Sequence, residues 1–214
     1  MTRGGARPRP AVTEVLVVDA VNPDAAALAR AAAVLRAGGL VAFPTETFYG
    51  LGAAADDPAA VRRVFSVKGR DEGKPLLVLV DSIAMAETVA EVTARGRELM
   101  ARHWPGALTL VLRARDGVRG EVTAGTGTIG VRLSPHPVAR GLVSALGSPV
   151  TAPSANLADA PPPTSAAAVR AVFDGAVDLV LDGGATAGGP ASTVVDVTAD
   201  VPRVLRAGAV TLCA

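Results

Sequence analysis

Three cations, Lys68, Arg70 and Lys74, lie within seven residues and beside two glycines. Such a group can bind a polyphosphate, because Lys and Arg make charge-assisted hydrogen bonds to phosphate oxygens. The alternative is a basic helix C-terminus, which the helix dipole favours. The segment is not a Walker A loop, because it has one residue too few between its glycines and Pro75 stands where Ser or Thr would bind magnesium.

A polar run follows the predicted strand at residues 40–43. Thr45, Thr47 and Tyr49 supply hydroxyls, and Glu46 supplies a carboxylate. Polar breaks in an otherwise regular strand pattern are typical of functional sites. The alternative is a strand-ending turn whose hydroxyls are satisfied locally, and the segment alone does not decide between them.

Other polar side chains stand in or after apolar strands. Ser154 and Asn156 follow the predicted strand at residues 149–151, at a strand end where α/β sheets place ligands; helix capping is the alternative. Ser154 lacks a Gly-x-Ser-x-Gly context, so a serine nucleophile is not supported. Arg132 either points to solvent or reaches an anion in a cavity. Arg206 is either surface charge or another phosphate ligand.

Composition excludes several classes of function. The chain has 214 residues, of which 50% are hydrophobic, and a net charge of +1, so no global field indicates nucleic acid or membrane as a partner. The lone cysteine, Cys213, favours a reducing cytoplasm, and no spacing of His, Cys or acidic residues predicts a metal site built by the protein. No apolar run is long enough to span a bilayer. Residues 1–12 form an Arg-, Gly- and Pro-rich segment that we interpret as a flexible basic arm, with an RNA-contacting arm as the alternative.

Helix-like and strand-like segments alternate, which predicts a single three-layer α/β domain over residues 13–214 around a mixed sheet. The predicted strands are 15–18, 40–43, 75–80, 107–112, 129–133, 149–151, 179–181, 193–197 and 204–205. The predicted helices are 22–37 with Asn22 as N-cap, 57–68, 83–102 with a break near Gly96, 137–146 and 164–173. Gly183–Pro190 is predicted to be a connecting loop.

Seven segments together resemble the YrdC/TsaC family of L-threonylcarbamoyladenylate synthases. They are GGLVAFPTETFYGLG, KGR, WPGALTLVL, VRLSPHP, APSAN, STVVD and LRAG, they occur in family order, and they span about Gly38 to Gly208. The pairing of Lys-x-Arg with a distant Ser-x-Asn is the family's hallmark, seen here as Lys68/Arg70 and Ser154/Asn156. Because seven pieces in order are improbable by chance, the resemblance favours the functional interpretations over the local ones.

The resemblance implies an open α/β fold in which a twisted mixed sheet, flanked by helices, lines a deep, positively charged cavity. It assigns the catalytic role to Lys68, Arg70, Ser154 and Asn156. It implies ATP binding by Arg70, Lys74, Thr128, Ser154 and Arg206. It implies L-threonine binding by Thr47, Arg132, Ala152 and Ser192, with Arg132 on the carboxylate.

The activity implied by the resemblance is formation of threonylcarbamoyl-AMP and pyrophosphate from L-threonine, bicarbonate and ATP, for the threonylcarbamoyladenosine modification of tRNA. Mg²⁺ would arrive with ATP, and the adenylate would pass to downstream tRNA threonylcarbamoyl-transferase proteins. Whether tRNA binds directly stays open. One alternative is a carbamoyltransferase-type YrdC domain, but 214 residues are not expected to hold its additional domains. The other is a non-catalytic RNA-binding factor of ribosome maturation, which the low net charge and few aromatics disfavour.

The sequence departs from the family's pattern at three positions. Asp71 stands where many relatives have Pro, and Leu79 stands where relatives often have His. Pro162 stands where a serine that could bind nucleotide often occurs. The longer relatives add a C-terminal domain, which a chain of this length is not expected to carry.

Overall fold

The computed structural model describes residues 12–212, so most of the proposed N-terminal arm and Cys213 lie outside the described residues. The strands are β1 (Glu14–Val17), β2 (Val41–Pro44), β3 (Tyr49–Gly52), β4 (Leu77–Leu79), β5 (Ala90–Glu91), β6 (Leu108–Ala114), β7 (Thr128–Arg132), β8 (Val150–Thr151), β9 (Leu179–Asp182), β10 (Thr193–Asp196) and β11 (Arg203–Arg206). The helices are α1 (Ala25–Arg36), α2 (Pro58–Lys68), α3 (Ile83–Val89), α4 (Ala94–His103), α5 (Gly120–Thr123), α6 (Pro137–Leu146) and α7 (Ala166–Phe173).

The prediction of an α/β fold with open, mixed sheets is confirmed, but the strands form two sheets where one was expected. The first sheet has the order β1-β9-β2-β3, and the second has the order β11-β10-β6-β7-β4-β8, with β5 paired to β6. Each sheet contains both parallel and antiparallel pairs. Isolated bridges join the two sheets from Gly50 to Ser154 and from Ala54 to Val150. These bridges bring the polar run after β2 close to the Ser-x-Asn segment.

Two helices show how local sequence sets the element boundaries. In α2, the side chain of Asp57 accepts hydrogen bonds from the first turn, Pro58 opens the helix, and Gly69 ends it in the left-handed conformation at φ 58°. In α6, Pro137 opens the helix and Gly147 ends it at φ 79°. The predicted bounds of α6 are therefore confirmed at both ends, and α2 delivers Lys68 and Arg70 to a fixed place.

Two predicted boundaries are wrong. The N-cap of α1 is Asp24, whose side chain accepts a hydrogen bond from the Ala26 amide at 2.7 Å. Asn22 lies in the preceding turn, where its own amide donates to the Asp19 side chain at 2.9 Å. The helical stretch predicted over residues 83–102 is broken as expected, but the break lies at β5, before Gly96, and divides the stretch into two helices. Thr93 begins the second helix by accepting a hydrogen bond from the Gly96 amide.

The buried apolar residues form two clusters. One cluster places α1 and α6 against the first sheet, with Leu35, Leu142 and Phe43 among its members. The other is larger and contains α2, α4, α7 and inward-facing residues of both sheets, among them Phe65 and Leu110. Within residues 12–212, every helix is too short or too polar to cross a lipid bilayer.

Candidate functional site

A cavity of about 440 Å³ lies where residues of the two sheets face each other. The predicted site residues that line it are Thr47, Arg70, Thr128, Arg132, Ala152, Ser154, Ser192 and Arg206. They come from both sheets and from the loops that follow α2, β2 and β8. The scattered hydroxyls and arginines of the sequence therefore converge on one hollow.

Arg132 is the most deeply buried of the three arginines in the cavity wall. It lies at the end of β7, is only 4% exposed, and its Nη1 is 3.4 Å from Glu46 Oε1. Its Nε has no hydrogen-bond partner within residues 12–212. Burial lowers the pKa of the Arg132 guanidinium, whereas the Glu46 carboxylate raises it. A buried cation with an unused donor is costly unless a ligand pairs with it, so this wall is suited to bind an anion.

Arg206 occupies the wall from β11, the edge strand of the second sheet. Its Nε and Nη2 donate to the carbonyl oxygen of Ser192 at 3.1 and 2.9 Å, and Nη2 also donates to Ser192 Oγ at 3.1 Å. Ser192 Oγ lies 2.9 Å from Thr109 Oγ1. The carbonyl and hydroxyl oxygens of Ser192 therefore hold one edge of the Arg206 guanidinium. The Ser192 hydroxyl lies between Arg206 and Thr109.

Arg70 follows the C-terminus of α2 and also lines the cavity. Its Nη2 donates to the Pro75 carbonyl oxygen at 3.2 Å, and its Nε is buried without a hydrogen-bond partner in the described part of the chain. Burial lowers the pKa of this guanidinium, and the Asp71 carboxylate opposes the shift. Like Arg132, it keeps donor capacity for an anionic ligand.

Lys68, Lys74 and Asn156 do not line the cavity. Lys68 is 3% exposed, and its Nζ donates to the carbonyl oxygens of Ser154 and Asn156, each at 2.5 Å. The side-chain amide of Asn156 donates to two neighbouring carbonyl oxygens, and Lys74 is exposed. The predicted phosphate contacts of these three residues therefore stay predictions; in this structure, Lys68 instead fixes the loop that carries Ser154.

The polar run after β2 combines both interpretations made from the sequence. Thr45 Oγ1 donates to the Phe48 carbonyl oxygen at 2.7 Å and accepts from the Thr47 amide at 3.2 Å, so Thr45 serves the turn itself. Thr47 Oγ1 is 3.1 Å from Thr45 Oγ1 and lines the cavity. Both threonines line the cavity, so Thr47 keeps the candidate role and Thr45 shapes the turn that presents it.

Thr109 is a cavity-lining residue that the sequence analysis did not single out. It is 3% exposed in β6, where it lies beside Val194 of β10 in parallel register. The only signal was one hydroxyl in the otherwise apolar run LTLVL. Pro162 also lines the cavity, so the departure from the family's serine falls in the site.

The described residues offer no protein-built metal site, because no group of three His, Cys, Asp or Glu side chains comes together within residues 12–212. The charged side chains in the cavity wall are those of Arg70, Arg132 and Arg206. This donor set suits anions, and a divalent cation would have to enter with the phosphates of its ligand.

Comparisons with known proteins agree with this geometry. The family model described as "Telomere recombination", covering Sua5, YciO and YrdC, matches residues 33–208. The threonylcarbamoyl-AMP synthase of Bacillus subtilis is 42% identical over 197 residues, which are 91% of this chain and 57% of that protein. The crystal structure of P. abyssi Sua5 complexed with L-threonine has a TM-score of 0.88 and 41% identity, covering 92% of this chain and 58% of that one.

A third relative matches over almost its whole length. The crystal structure of E. coli YciO has a TM-score of 0.85 and 27% identity, covering 92% of this chain and 96% of that chain. By contrast, the chain spans little more than half the length of the Bacillus and P. abyssi proteins. The similarity therefore concerns the domain that carries the cavity, and on this basis the chain belongs to the Sua5/YciO/YrdC family.

Proposed function

We propose that this chain is an L-threonylcarbamoyladenylate synthase, which forms threonylcarbamoyl-AMP and pyrophosphate from L-threonine, bicarbonate and ATP. The observation that carries the proposal is the convergence of Arg70, Arg132 and Arg206 on one cavity of about 440 Å³. A relative named threonylcarbamoyl-AMP synthase and a relative crystallised with L-threonine support it.

The proposed reaction begins when the threonine amine combines with bicarbonate or CO2 to give a carbamate. A carbamate oxygen then attacks the α-phosphorus of ATP and displaces pyrophosphate. This second step brings an anion to a polyanion, so cations must cancel the repulsion. We assign the threonine carboxylate to Arg132 and the phosphates to Arg70 and Arg206.

The residue types in the cavity suit this chemistry. No side-chain nucleophile is required, since the attacking oxygen belongs to the carbamate. A carbamate decomposes in water, so a cavity that excludes solvent and holds both reactants in place has a purpose. We propose that Mg²⁺ enters as part of the ATP substrate, because the described residues provide no carboxylate cluster to hold it.

We further propose the biological setting that the sequence predicted. The adenylate would be passed to downstream proteins that transfer threonylcarbamoyl to tRNA, in the cytoplasm. The same cavity chemistry also fits the rival carbamoyltransferase, which would use carbamoyl phosphate. A non-catalytic RNA-binding role gives no reason for an unpaired donor on Arg132.

The decisive assay measures pyrophosphate release from ATP by the purified chain. We expect release only when L-threonine and bicarbonate are both present. Release that needs neither, or turnover of carbamoyl phosphate instead, would contradict the proposal. Tight RNA binding without turnover would favour the rival binding module.

A matched variant tests the assignment of Arg132. Arg132→Lys keeps the charge but loses the planar fork that binds a carboxylate through two parallel hydrogen bonds. We expect KM for L-threonine to rise about tenfold or more, with KM for ATP nearly unchanged. Arg115→Lys, at an exposed position, is the control. Equal increases in both KM values for Arg132→Lys would place Arg132 elsewhere in the reaction.

A further inference from the structure

Glu46 is the only carboxylate within 4 Å of a cavity-lining arginine in residues 12–212. Its Oε1 faces Arg132 Nη1 at 3.4 Å, is buried, and makes no hydrogen bond within the described part of the chain. Its Oε2 accepts a hydrogen bond from Ser134 Oγ at 2.5 Å. Arg70 and Arg206 have no such partner among these residues, although the Asp71 carboxylate acts on Arg70 from farther away.

The carboxylate of Glu46 is held in place by a hydroxyl group. Ser134 is 1% exposed, and its Oγ both donates to Glu46 and accepts from the His136 amide at 3.2 Å. A hydroxyl donor orients the carboxylate, whereas a second cation would neutralise it. Glu46 is therefore oriented toward Arg132 by a hydroxyl donor and not by a second cation.

This arrangement divides the cavity electrostatically. At one end of the cavity Arg132 is paired with Glu46, whereas Arg70 and Arg206 have no carboxylate within 4 Å among residues 12–212. Burial and the charge of Arg206 both lower the pKa of Arg132, so the two guanidiniums repel each other electrostatically. Without Glu46, these cations would together attract any polyanion.

The proposed function makes such a division necessary. One cavity has to bind a zwitterionic amino acid and a polyphosphate, and three equivalent arginines would favour the more highly charged ligand at every position. A polyphosphate seated on Arg132 would block the amino acid.

We propose that Glu46 is a specificity-determining residue: its charge balances Arg132, so that this end of the cavity accepts a monocarboxylate and rejects polyphosphate. The inference rests on the proposed function. It assigns Glu46 an effect on which ligand binds where, and it requires no contact between Glu46 and the reacting atoms.

The test uses pyrophosphate as the probe and isothermal titration calorimetry as the readout. Glu46→Gln removes the charge and keeps the size of the side chain. We expect pyrophosphate to bind this variant at least about tenfold more tightly than it binds the wild-type chain, since one nearby negative charge is gone. With pyrophosphate present, L-threonine should bind this variant more weakly, because pyrophosphate now competes for Arg132. Unchanged pyrophosphate affinity would overturn the proposal.

Two controls separate charge from structure. Glu14→Gln makes the same change in the exposed ion pair between Glu14 on β1 and Arg30 on α1. The pyrophosphate affinity of this variant should equal that of the wild type. Glu46→Asp keeps the charge, so it should not strengthen pyrophosphate binding. Tighter pyrophosphate binding by Glu46→Asp as well would mean that geometry, and not charge, sets the preference.

A measurement on the wild-type chain keeps the inference testable if Glu46→Gln does not fold. Pyrophosphate and L-threonine should bind together, each changing the dissociation constant of the other only slightly. Strict competition between them would contradict a divided cavity. Failure of the proposed function would look different, because the wild type would then release no pyrophosphate with threonine and bicarbonate, whatever its binding pattern.

Discussion

Lys68 and Arg70 are two residues apart, but they have different surroundings. Arg70 faces the cavity with an Nε that has no hydrogen-bond partner within residues 12–212, whereas Lys68 is buried against the carbonyl oxygens of Ser154 and Asn156. The Lys68 carbonyl oxygen also accepts the Ala158 amide at 2.9 Å. Lys68 therefore holds the loop at both ends, and its replacement would affect the fold as well as the site.

The pKa of Lys68 gives a prediction at the scale of one residue. Burial, with a smaller effect of Arg70, lowers its pKa from 10.5 to about 8. Between these two values, the unfolded chain binds more protons than the folded chain, so the contribution of Lys68 to stability grows as pH rises from about 8 to 10.5 and is lost as pH falls through 8.

The measurement compares wild type with Lys68→Met. The difference between their free energies of unfolding should shift in favour of the wild type over this window, by at most about 1.4 kcal/mol per pH unit. Urea unfolding at several pH values measures it. Lys74→Met, at an exposed position, is the matched control for loss of a lysine. A flat difference would mean that Lys68 titrates near its ordinary value.

At the scale of elements, the hairpin of β2 and β3 anchors the loop Gly183–Pro190. Tyr49 OH donates to the Gly184 carbonyl oxygen at 2.7 Å, and the Gly188 amide donates to the Thr47 carbonyl oxygen at 2.9 Å. This loop leads into Ser192 in the cavity wall, so the hairpin positions one side of the site through it.

Removing one hydroxyl tests this anchor. Tyr49→Phe deletes the hydrogen bond to Gly184 and leaves the ring packing, which should cost about 1 kcal/mol of stability. We expect faster amide hydrogen exchange at Thr186 and Gly188, with unchanged exchange in α6 as an internal control. Unchanged exchange at both loop amides would show that the remaining contacts suffice.

Elements were predictable from sequence where a local signal exists. Pro137 and Gly147 mark both ends of α6, because proline fits the first helical turn and glycine adopts positive φ without strain. The predicted N-cap of α1 was wrong. Asp19, Asn22 and Asp24 all have side chains that can cap a helix, and only the tertiary structure decides among them. The division into two sheets depends on long-range strand pairing, which period-two patterns do not encode.

Most of the residues named from the sequence line the cavity, but the contacts that join them could not be predicted. The family's motifs identify Arg132 and Ser192, yet the pairing of Arg132 with Glu46 joins residues 86 positions apart, one at the end of β7 and one in the turn between β2 and β3. The inward direction of Lys68 likewise depends on where the Ser154 loop packs. Thr109 offered only a hydroxyl in an apolar strand, which is also typical of an ordinary satisfied threonine.

At the scale of the whole molecule, the cavity is the place where the two sheets meet. Tyr49 and Gly50 of the first sheet and Thr128 and Arg132 of the second line it together. Besides the bridge between Gly50 and Ser154, backbone hydrogen bonds from Leu51 to Pro153 and from Thr151 to Ala53 link the sheets directly. A ligand that contacts both walls would therefore stabilise the folded chain as a unit.

Threonine binding should accordingly raise the melting temperature. A ligand at 100 times its Kd adds about 2.7 kcal/mol, which for a domain of this size corresponds to roughly 5–10 °C. Differential scanning fluorimetry with L-threonine measures the shift, and L-threoninamide, which lacks the carboxylate, is the matched ligand control. The Arg132 Nε, which has no partner within residues 12–212, is expected to bind the threonine carboxylate. L-Threoninamide should therefore give almost no shift. An equal shift with both ligands would mean that the carboxylate is bound away from Arg132, and the assignment of the two ends of the cavity would have to be reversed.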